Sequence, residues 1–262
     1  MSKSRPNVLC FSGHDPSGGA GIQADIETLV SHQCHACTVI TALTEQDSHN
    51  ALKVIPQKPE DFIDQASYLF ADMNIDVIKI GMIGSIGIAL AIEQLLIAHP
   101  KIPVVFDPVL AAGGGKIFAD EKLEQTIIKS ILPYTTVLTP NSIEARKLSG
   151  QQELKKSALN LLAIGCQYVL ITGGHEPDNN LQNKLYHQQD CIETYTWDRL
   201  PGEFHGSGCT LASSIAALLA HGLDTTSAVN EAQEYTWNSL HAAYQPGTGQ
   251  HYPNRLFWSQ ED

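Results

Sequence analysis

The sequence predicts an α/β architecture, a mainly parallel β-sheet with helices packed on both faces. Two patterns predict it. Short apolar runs of strand length alternate with amphipathic helical stretches from one end of the chain to the other, at the pitch of βαβ units. The runs have the composition of strands buried under helices, which fits a parallel sheet. A third observation sets the organisation. No Pro/Ser-rich linker, low-complexity stretch or internal repeat interrupts the pattern, so residues 1–262 read as one domain.

The elements follow in order. Residues 7–12 read as a strand, 13–21 as a turn-rich segment, and Ile22, Ile26, Leu29 and Val30 mark one face of a helix ending near Gln33. Residues 36–42 form the next buried strand and 53–56 a brief one. Pro59 suits the first turn of a helix continued by Phe62, Ala66, Leu69 and Phe70. Residues 76–80, 104–107, 136–139 and 168–172 repeat the strand pattern with helices between them. Residues 184–197 lack an intervening helix and suggest a hairpin, and two long helices, 209–221 and 224–244, follow.

Composition narrows the function classes. The 262 residues carry 16 Lys plus Arg against 28 Asp plus Glu, a formal charge of −12. That balance argues against nucleic-acid or anionic-membrane partners, which need basic surface, but leaves room for a phosphorylated small molecule. No signal peptide is visible and no apolar run reaches the roughly 20 residues that cross a bilayer. Six scattered cysteines then read as reduced thiols, and a cytoplasmic protein is expected. Cys34-His-Ala-Cys37 lacks a second pair at metal-ligand spacing and reads as packing rather than redox chemistry or zinc.

In open parallel sheets, ligands sit beyond the carboxyl ends of the strands. The segments 13–21, 45–46, 81–82, 107–115, 140–144 and 173–174 should therefore converge. The first of them is not a Walker loop, because Gly18 is followed by Gly19 and Ala20 rather than by Lys and Ser/Thr. Gly19-Ala-Gly21-Ile-Gln-Ala24 matches a dinucleotide fingerprint, with Glu45 at a suitable distance, but too many residues separate it from the strand end. Gly206-Ser207-Gly208-Cys209 opens an apolar helix. Its amides and the helix dipole would make an anion site that needs no lysine; a plain glycine-rich helix start is the other reading.

Taken together, Asp15-Pro-Ser-Gly-Gly-Ala-Gly-Ile-Gln-Ala-Asp25, Thr41-Ala-Leu, Lys79-Ile-Gly-Met82, Asp107-Pro-Val109, Thr139-Pro-Asn141 with Glu144, and His205-Gly-Ser-Gly-Cys209-Thr-Leu occur in an order that resembles the hydroxymethylpyrimidine and phosphomethylpyrimidine kinases of thiamine biosynthesis. The resemblance spans nearly the whole chain. It implies a three-layer α/β/α ribokinase-like fold, usually a homodimer. It also implies an ATP- and Mg²⁺-dependent phosphoryl transfer to the hydroxymethyl group of the pyrimidine and then to the resulting monophosphate.

The resemblance places Gln46 on the pyrimidine edge, where an amide both donates and accepts. Ala20, Asp25, Met82 and Val109 would line the same pocket. Asn141 and Thr172 would face the nucleotide phosphates, and Glu144 and Asp107 the Mg²⁺, a cation that prefers oxygen ligands. Asn141 with Glu144 also reads as a helix cap. The Gly206, Ser207 and Gly208 amides would hold the migrating phosphoryl group, with Cys209 beside the acceptor hydroxyl. A helix N-terminus lowers a thiol's pKa, so a general-base role for Cys209 is expected; packing beside the alcohol is the rival.

Two departures stand out. Many relatives carry lysine where Thr172 precedes Gly173-Gly174-His175, so one phosphate-facing cation is lost unless Lys79, Lys116 or His175 replaces it. His14 stands where a smaller residue is usual. A pyridoxal kinase of the same fold and a non-catalytic pyrimidine-binding relative are the competing readings.

Overall fold

The computed structural model describes residues 5–111, 118–176 and 180–259. Nine strands form one sheet in the order β3-β2-β1-β4-β5-β6-β7-β8-β9. Strands β1 (Asn7–His14), β2 (His35–Gln46), β4 (Val77–Ile80), β5 (Val104–Phe106), β6 (Val137–Leu138) and β7 (Tyr168–Ile171) are parallel. Antiparallel strands close both edges: β3 (Ala51–Pro56) pairs with β2, and the hairpin β8 (Asn180–His187) and β9 (Asp190–Asp198) continues from β7.

Alternation within the parallel strands builds two cores. Leu9, Phe11, Ile78, Ile80, Val104, Phe106, Leu138, Val169 and Ile171 face one layer of helices. That layer comprises α2 (Pro59–Asp72), α3 (Ile86–Ala98), α4 (Glu121–Ser130), α5 (Ser142–Ser149) and α6 (Leu154–Ile164). Val8, Cys10, Val77, Val105, Val137 and Leu170 face the other, formed by α1 (Gly21–Ser31), α7 (Ser207–Ala220) and α8 (Thr225–His241). Both faces of the central strands are thus dry, and each buried Leu, Ile or Phe removes enough apolar area to contribute about 1.5–3 kcal/mol. The expected three-layer α/β/α arrangement is present.

Cys34 and Cys37 separate onto the two faces. Cys34 packs under α7, its sulfur 3.5 Å from His221 Nε2, whereas Cys37 lies 3.5 Å from the Met73 sulfur in the opposite core. Packing accounts for both.

Boundaries differ from the sequence reading in places that matter for the site. Strand β1 runs two residues further, to His14, through an irregularity in its pairing between Ser12 and His14. Strand β2 continues through Gln46 and folds back onto β3, so Gln46 ends a strand rather than starting a loop. Its last residues protrude beyond the helix layers, and Leu43 is exposed, so no continuous apolar run announces them. Helix α7 begins at Ser207, inside the glycine run.

Fully buried Ile92 of α3 reports on this layering. Ile92→Ala is expected to lower urea-unfolding stability by about 2–5 kcal/mol and Ile92→Val by about 0.5–1.5 kcal/mol.

Candidate active site

Sheet order reverses between β1 and β4, leaving a crevice where the loops after these strands part. Asp15 organises the first loop. It accepts from the Ser17 N–H at 2.9 Å, the Ser17 hydroxyl at 2.7 Å and the Ala20 N–H at 2.9 Å. His205 Nε2, from the loop before α7, lies 2.8 Å from Asp15 Oδ2. Burial works against the Asp15 charge, yet hydrogen bonds from His205 and Ser17 outweigh it and hold the carboxyl below its usual range.

The same ring nitrogen is 2.8 Å from the Gln46 amide. In the structure Gln46 Nε2 is the atom at 2.8 Å and Gln46 Oε1 the one 3.3 Å from Thr44 Oγ1, whose hydroxyl also donates to the His14 carbonyl at 2.9 Å. With the ring proton donated to Asp15, the exchanged amide, Oε1 toward His205 and Nε2 toward Thr44, satisfies both contacts equally. Gln46 is therefore held from both sides, with one N–H and one Oε1 lone pair free. This brings Gln46 within reach of the residue that precedes the Gly206 turn.

Gly206 has φ +83°, and a side chain there would strike the Gly19 carbonyl. Only glycine permits both the left-handed backbone and this contact. Helix α7 then starts at Ser207 with no side-chain cap; Ser207 is half-buried and Gly208 exposed, so the first-turn amides open to solvent. Unpaired N–H groups at the positive end of a helix are an anion site.

Beneath this turn lies a buried polar cluster. Lys79 Nζ is 2.8 Å from Asp25 Oδ1 and 3.1 Å from Ser12 Oγ, and the Ser213 hydroxyl donates to Asp25 Oδ1 at 2.7 Å. Both members of the ion pair are fully buried. Burial opposes the Lys79 charge, but Asp25, with further help from Cys209 and Asp107, keeps the ammonium above its ordinary value. Asp107 lies over the turn: a Cβ at Gly208 would be 3.6 Å from both of its oxygens. Burial pushes the Asp107 carboxyl up to about 6, against the pull of Lys79 and of a hydrogen bond with the Cys209 thiol. One oxygen of Asp25 and one of Asp107 are buried without a partner, and each is an acceptor that a ligand donor or a cation would satisfy.

Cys209 departs from expectation. Burial pushes its thiol up to about 12, and Lys79 and the Gly21 N–H offset only part of this while Asp107 and Asp25 add to it. The helix N-terminus was expected to favour a thiolate; removal from water beside two carboxylates outweighs it.

Beyond β6 and β7, Asn141 and Thr172 pair in a short bridge, with the Ser142 N–H donating to the Thr172 carbonyl at 3.1 Å. Asn141 and Glu144 form a complete capping box, each within 2.9 Å of the other's backbone N–H. The capping role is therefore real, and it leaves the Asn141 side-chain NH₂ uncommitted. Burial pushes Glu144 up to about 8, with Asp107 adding to the shift. A cation between these carboxylates would relieve both burdens, and two carboxylates plus water and phosphate is a usual Mg²⁺ environment. Among the described residues, no cluster of three His, Cys, Asp or Glu offers an all-protein metal cage. Of the lysine substitutes, Lys79 is sealed into its ion pair, Lys116 lies outside the described residues, and His175 is exposed after β7.

The remaining expected residues gather at the same crevice. Ala20 caps α1, and the Met82 methyl fills the space that a side chain on Gly13 would take. Val109 is half-buried, its N–H donating to the Asp107 carbonyl at 2.9 Å. Glu45 is the exception. It pairs with Lys53 on the exposed side of the hairpin, which removes the acidic partner required by the dinucleotide fingerprint. His205, Asp15 and Thr44 have no assigned role in the sequence reading, although His205 and Asp15 stand in the quoted motifs; Lys79, expected there as a possible phosphate-facing cation, pairs with Asp25 instead.

Two measurements check this geometry. Alkylation of Cys209 by iodoacetamide, followed by peptide mass spectrometry, should be far slower at pH 7 than that of exposed Cys191 and should keep rising beyond pH 10. Lys79→Met strands the Asp25 charge and should cost about 3–5 kcal/mol in denaturant unfolding, part of which Lys79→Met with Asp25→Leu recovers.

Comparison with known proteins identifies the family and the fold. The family profile of phosphomethylpyrimidine kinase matches residues 15–254. The hydroxymethylpyrimidine/phosphomethylpyrimidine kinase of Escherichia coli K12 is 33% identical over 243 residues, covering 90% of this chain and 91% of that one. Among solved structures, Staphylococcus aureus pyridoxal kinase in complex with AMP-PCP and pyridoxal aligns with a TM-score of 0.89 at 26% identity, over 98% of this chain and 96% of that chain. Clostridium difficile phosphomethylpyrimidine kinase aligns at 0.79 and 28% identity, over 90% and 100%. A profile match across nearly the whole chain, joined to a relative 33% identical over 90% of it and to solved structures of the same fold, leads to one conclusion: the chain belongs to the phosphomethylpyrimidine kinase family and has its ribokinase-like fold.

Proposed function

We propose that this protein transfers the γ-phosphoryl group of ATP to the hydroxymethyl group of hydroxymethylpyrimidine, and then to the monophosphate so formed. The observation that carries the reading is the His205 bridge: one imidazole touches the amide suited to an aminopyrimidine edge and immediately precedes the amides suited to a phosphoryl group.

The chemistry asked of the chain is positioning and electrostatics, since phosphoryl transfer passes through a loose, charge-rich transition state. Gln46 offers the ring a donor and an acceptor, and Asp25 offers its unpaired oxygen. Ala20, Met82 and Val109 supply the walls. The Ser207, Gly208 and Cys209 amides face the migrating group, and Asn141 and Thr172 contribute uncharged donors to the nucleotide phosphates. Mg²⁺, held by Asp107 and Glu144, would neutralise phosphate charge.

Cys209 acts here as a neutral thiol packed beside the acceptor hydroxyl and hydrogen-bonded to Asp107, which replaces the thiolate-base role expected from sequence. The hydroxyl proton then leaves with the phosphate oxygens as the new bond forms.

A cytoplasmic homodimer is part of the proposal. Six free cysteines suit a reducing compartment. Exposed Leu43, Leu52 and Ile55 on the β2–β3 hairpin give an apolar edge that a second copy would cover.

Pyridoxal phosphorylation is the second reading, favoured by the higher structural similarity to the S. aureus pyridoxal kinase. ADP release with hydroxymethylpyrimidine, its monophosphate and pyridoxal in parallel decides between them: the first two should turn over with the higher kcat/KM, and the reverse order would assign the enzyme to pyridoxal. Gln46→Leu should raise KM for hydroxymethylpyrimidine about tenfold, the effect of losing one to two hydrogen bonds. Thr172→Lys should raise kcat/KM for ATP about tenfold by restoring a charged phosphate donor.

A further inference from the structure

Arg255, from the segment after α8, is among the largest fully buried side chains of the protein, with 1% of its side chain exposed. Its guanidinium spends its donors on three elements. Nη2 donates to the Gly19 carbonyl, Nε donates to Thr210 Oγ1 at 3.0 Å, and Nη1 pairs with Glu27 Oε2 at 2.9 Å. Thr210 in turn donates its hydroxyl to the Gly206 carbonyl at 2.8 Å. One planar fork thus holds the carbonyls of both glycine loops, Gly19 directly and Gly206 through Thr210.

The consequence follows from peptide geometry. In a trans peptide the carbonyl and the next N–H point in opposite directions. With the Gly19 carbonyl turned to Arg255, the Ala20 N–H points the other way, to Asp15 Oδ2 at 2.9 Å. With the Gly206 carbonyl turned inward, the Ser207 N–H points out of the helix start, toward the crevice. Glycine has no side chain to fix either peptide; the Gly206 carbonyl also accepts the Thr210 N–H at 3.0 Å, the first hydrogen bond of α7, so the Thr210 hydroxyl is a second fastening there. The same segment adds a second fastening: Tyr252 Oη donates to Ser17 Oγ at 2.7 Å, and the His251 carbonyl accepts from the His205 N–H at 2.9 Å.

We propose that Arg255 is a positioning residue that holds the Gly19 peptide of the substrate loop directly and, through the Thr210 hydroxyl, stiffens the Gly206 peptide that the first bond of α7 already orients, so that the Ser207 amide is held on a nucleotide phosphoryl group before it binds. The inference rests on the kinase reading above for the identity of the ligands. A lysine cannot replace the fork, because a single ammonium does not span Gly19, Thr210 and Glu27 in one plane.

The test compares Thr210→Val, Arg255→Lys and Glu27→Gln in the full chain, with turnover, calorimetric binding of AMP-PCP with Mg²⁺, and calorimetric binding of hydroxymethylpyrimidine. Thr210→Val removes the hydroxyl relay between Arg255 and Gly206 and leaves the Thr210 N–H bond to that carbonyl in place. It should lower kcat at least about tenfold and weaken AMP-PCP at least about threefold, with pyrimidine affinity within about twofold of wild type. Arg255→Lys should impair both ligands, since it releases both loops. Glu27→Gln, which loses only the half-exposed partner of the ion pair, should stay within about twofold on every readout. Thr210→Val with kcat and AMP-PCP affinity within about twofold of wild type overturns the proposal, as does an equal loss of both ligands that tracks its Tm. If wild type binds AMP-PCP but releases no ADP with hydroxymethylpyrimidine, the substrate reading falls while the AMP-PCP arm still decides the role of Arg255.

Discussion

The backbone of Gly206 rests against the carbonyl of Gly19, and the organisation of the crevice depends on that contact. Two flexible loops, far apart in the chain, meet with no side chain between them. Such an approach needs glycine on one side and a left-handed turn, and it persists only because the surroundings over-determine it. Asp15 and His205 clasp the loops from the crevice, and Arg255 clasps them from the interior. Gln46 then inherits its orientation from His205, and the start of α7 inherits its aim from Thr210 and Gly206.

Electrostatics under the loops follow from the same closeness. The protein is acidic overall, yet its one fully buried ammonium among the described residues, Lys79, lies below the anion turn. Asp25 neutralises it, Asp107 and Cys209 feel it, and burial pushes both the thiol and the carboxyl up against its pull. With that ammonium neutralised by Asp25, the partial positive charge at the start of α7 comes from oriented amides rather than from a lysine at position 172. The site thus relies on fixed dipoles more than on mobile charged side chains.

Much of the fold was legible in the chain because strand and helix periods are local. The six parallel strands, the hairpin after β7 and the two long helices that close the α7–α8 layer all follow from runs of a few residues. What escaped was whatever projects beyond the layers. The β2–β3 hairpin carries Gln46 on exposed, mixed residues, so its length could not be read from hydrophobicity. The first turn of α7 hides in glycines, which carry no helical signal. His205 and Asp15 were visible as letters of a motif, but a hydrogen-bond hub has no one-dimensional signature.

By itself the sequence determined the layered α/β class, the family, and the set of side chains available for chemistry, because these depend on composition, period and motif order. Tertiary structure alone decided three things. It buried Cys209, which pushes the thiol up where a helix start alone would pull it down, since burial is a property of all neighbours at once. It brought Asp107 close enough to Glu144 to raise its carboxyl further, whereas the cap that Glu144 shares with Asn141 was already legible in the sequence. And it brought an arginine near the far end of the chain beneath two glycine loops, where nothing in its flanking residues announces a role, because the physical meaning of a guanidinium is set by the carbonyls it meets and not by its neighbours in sequence.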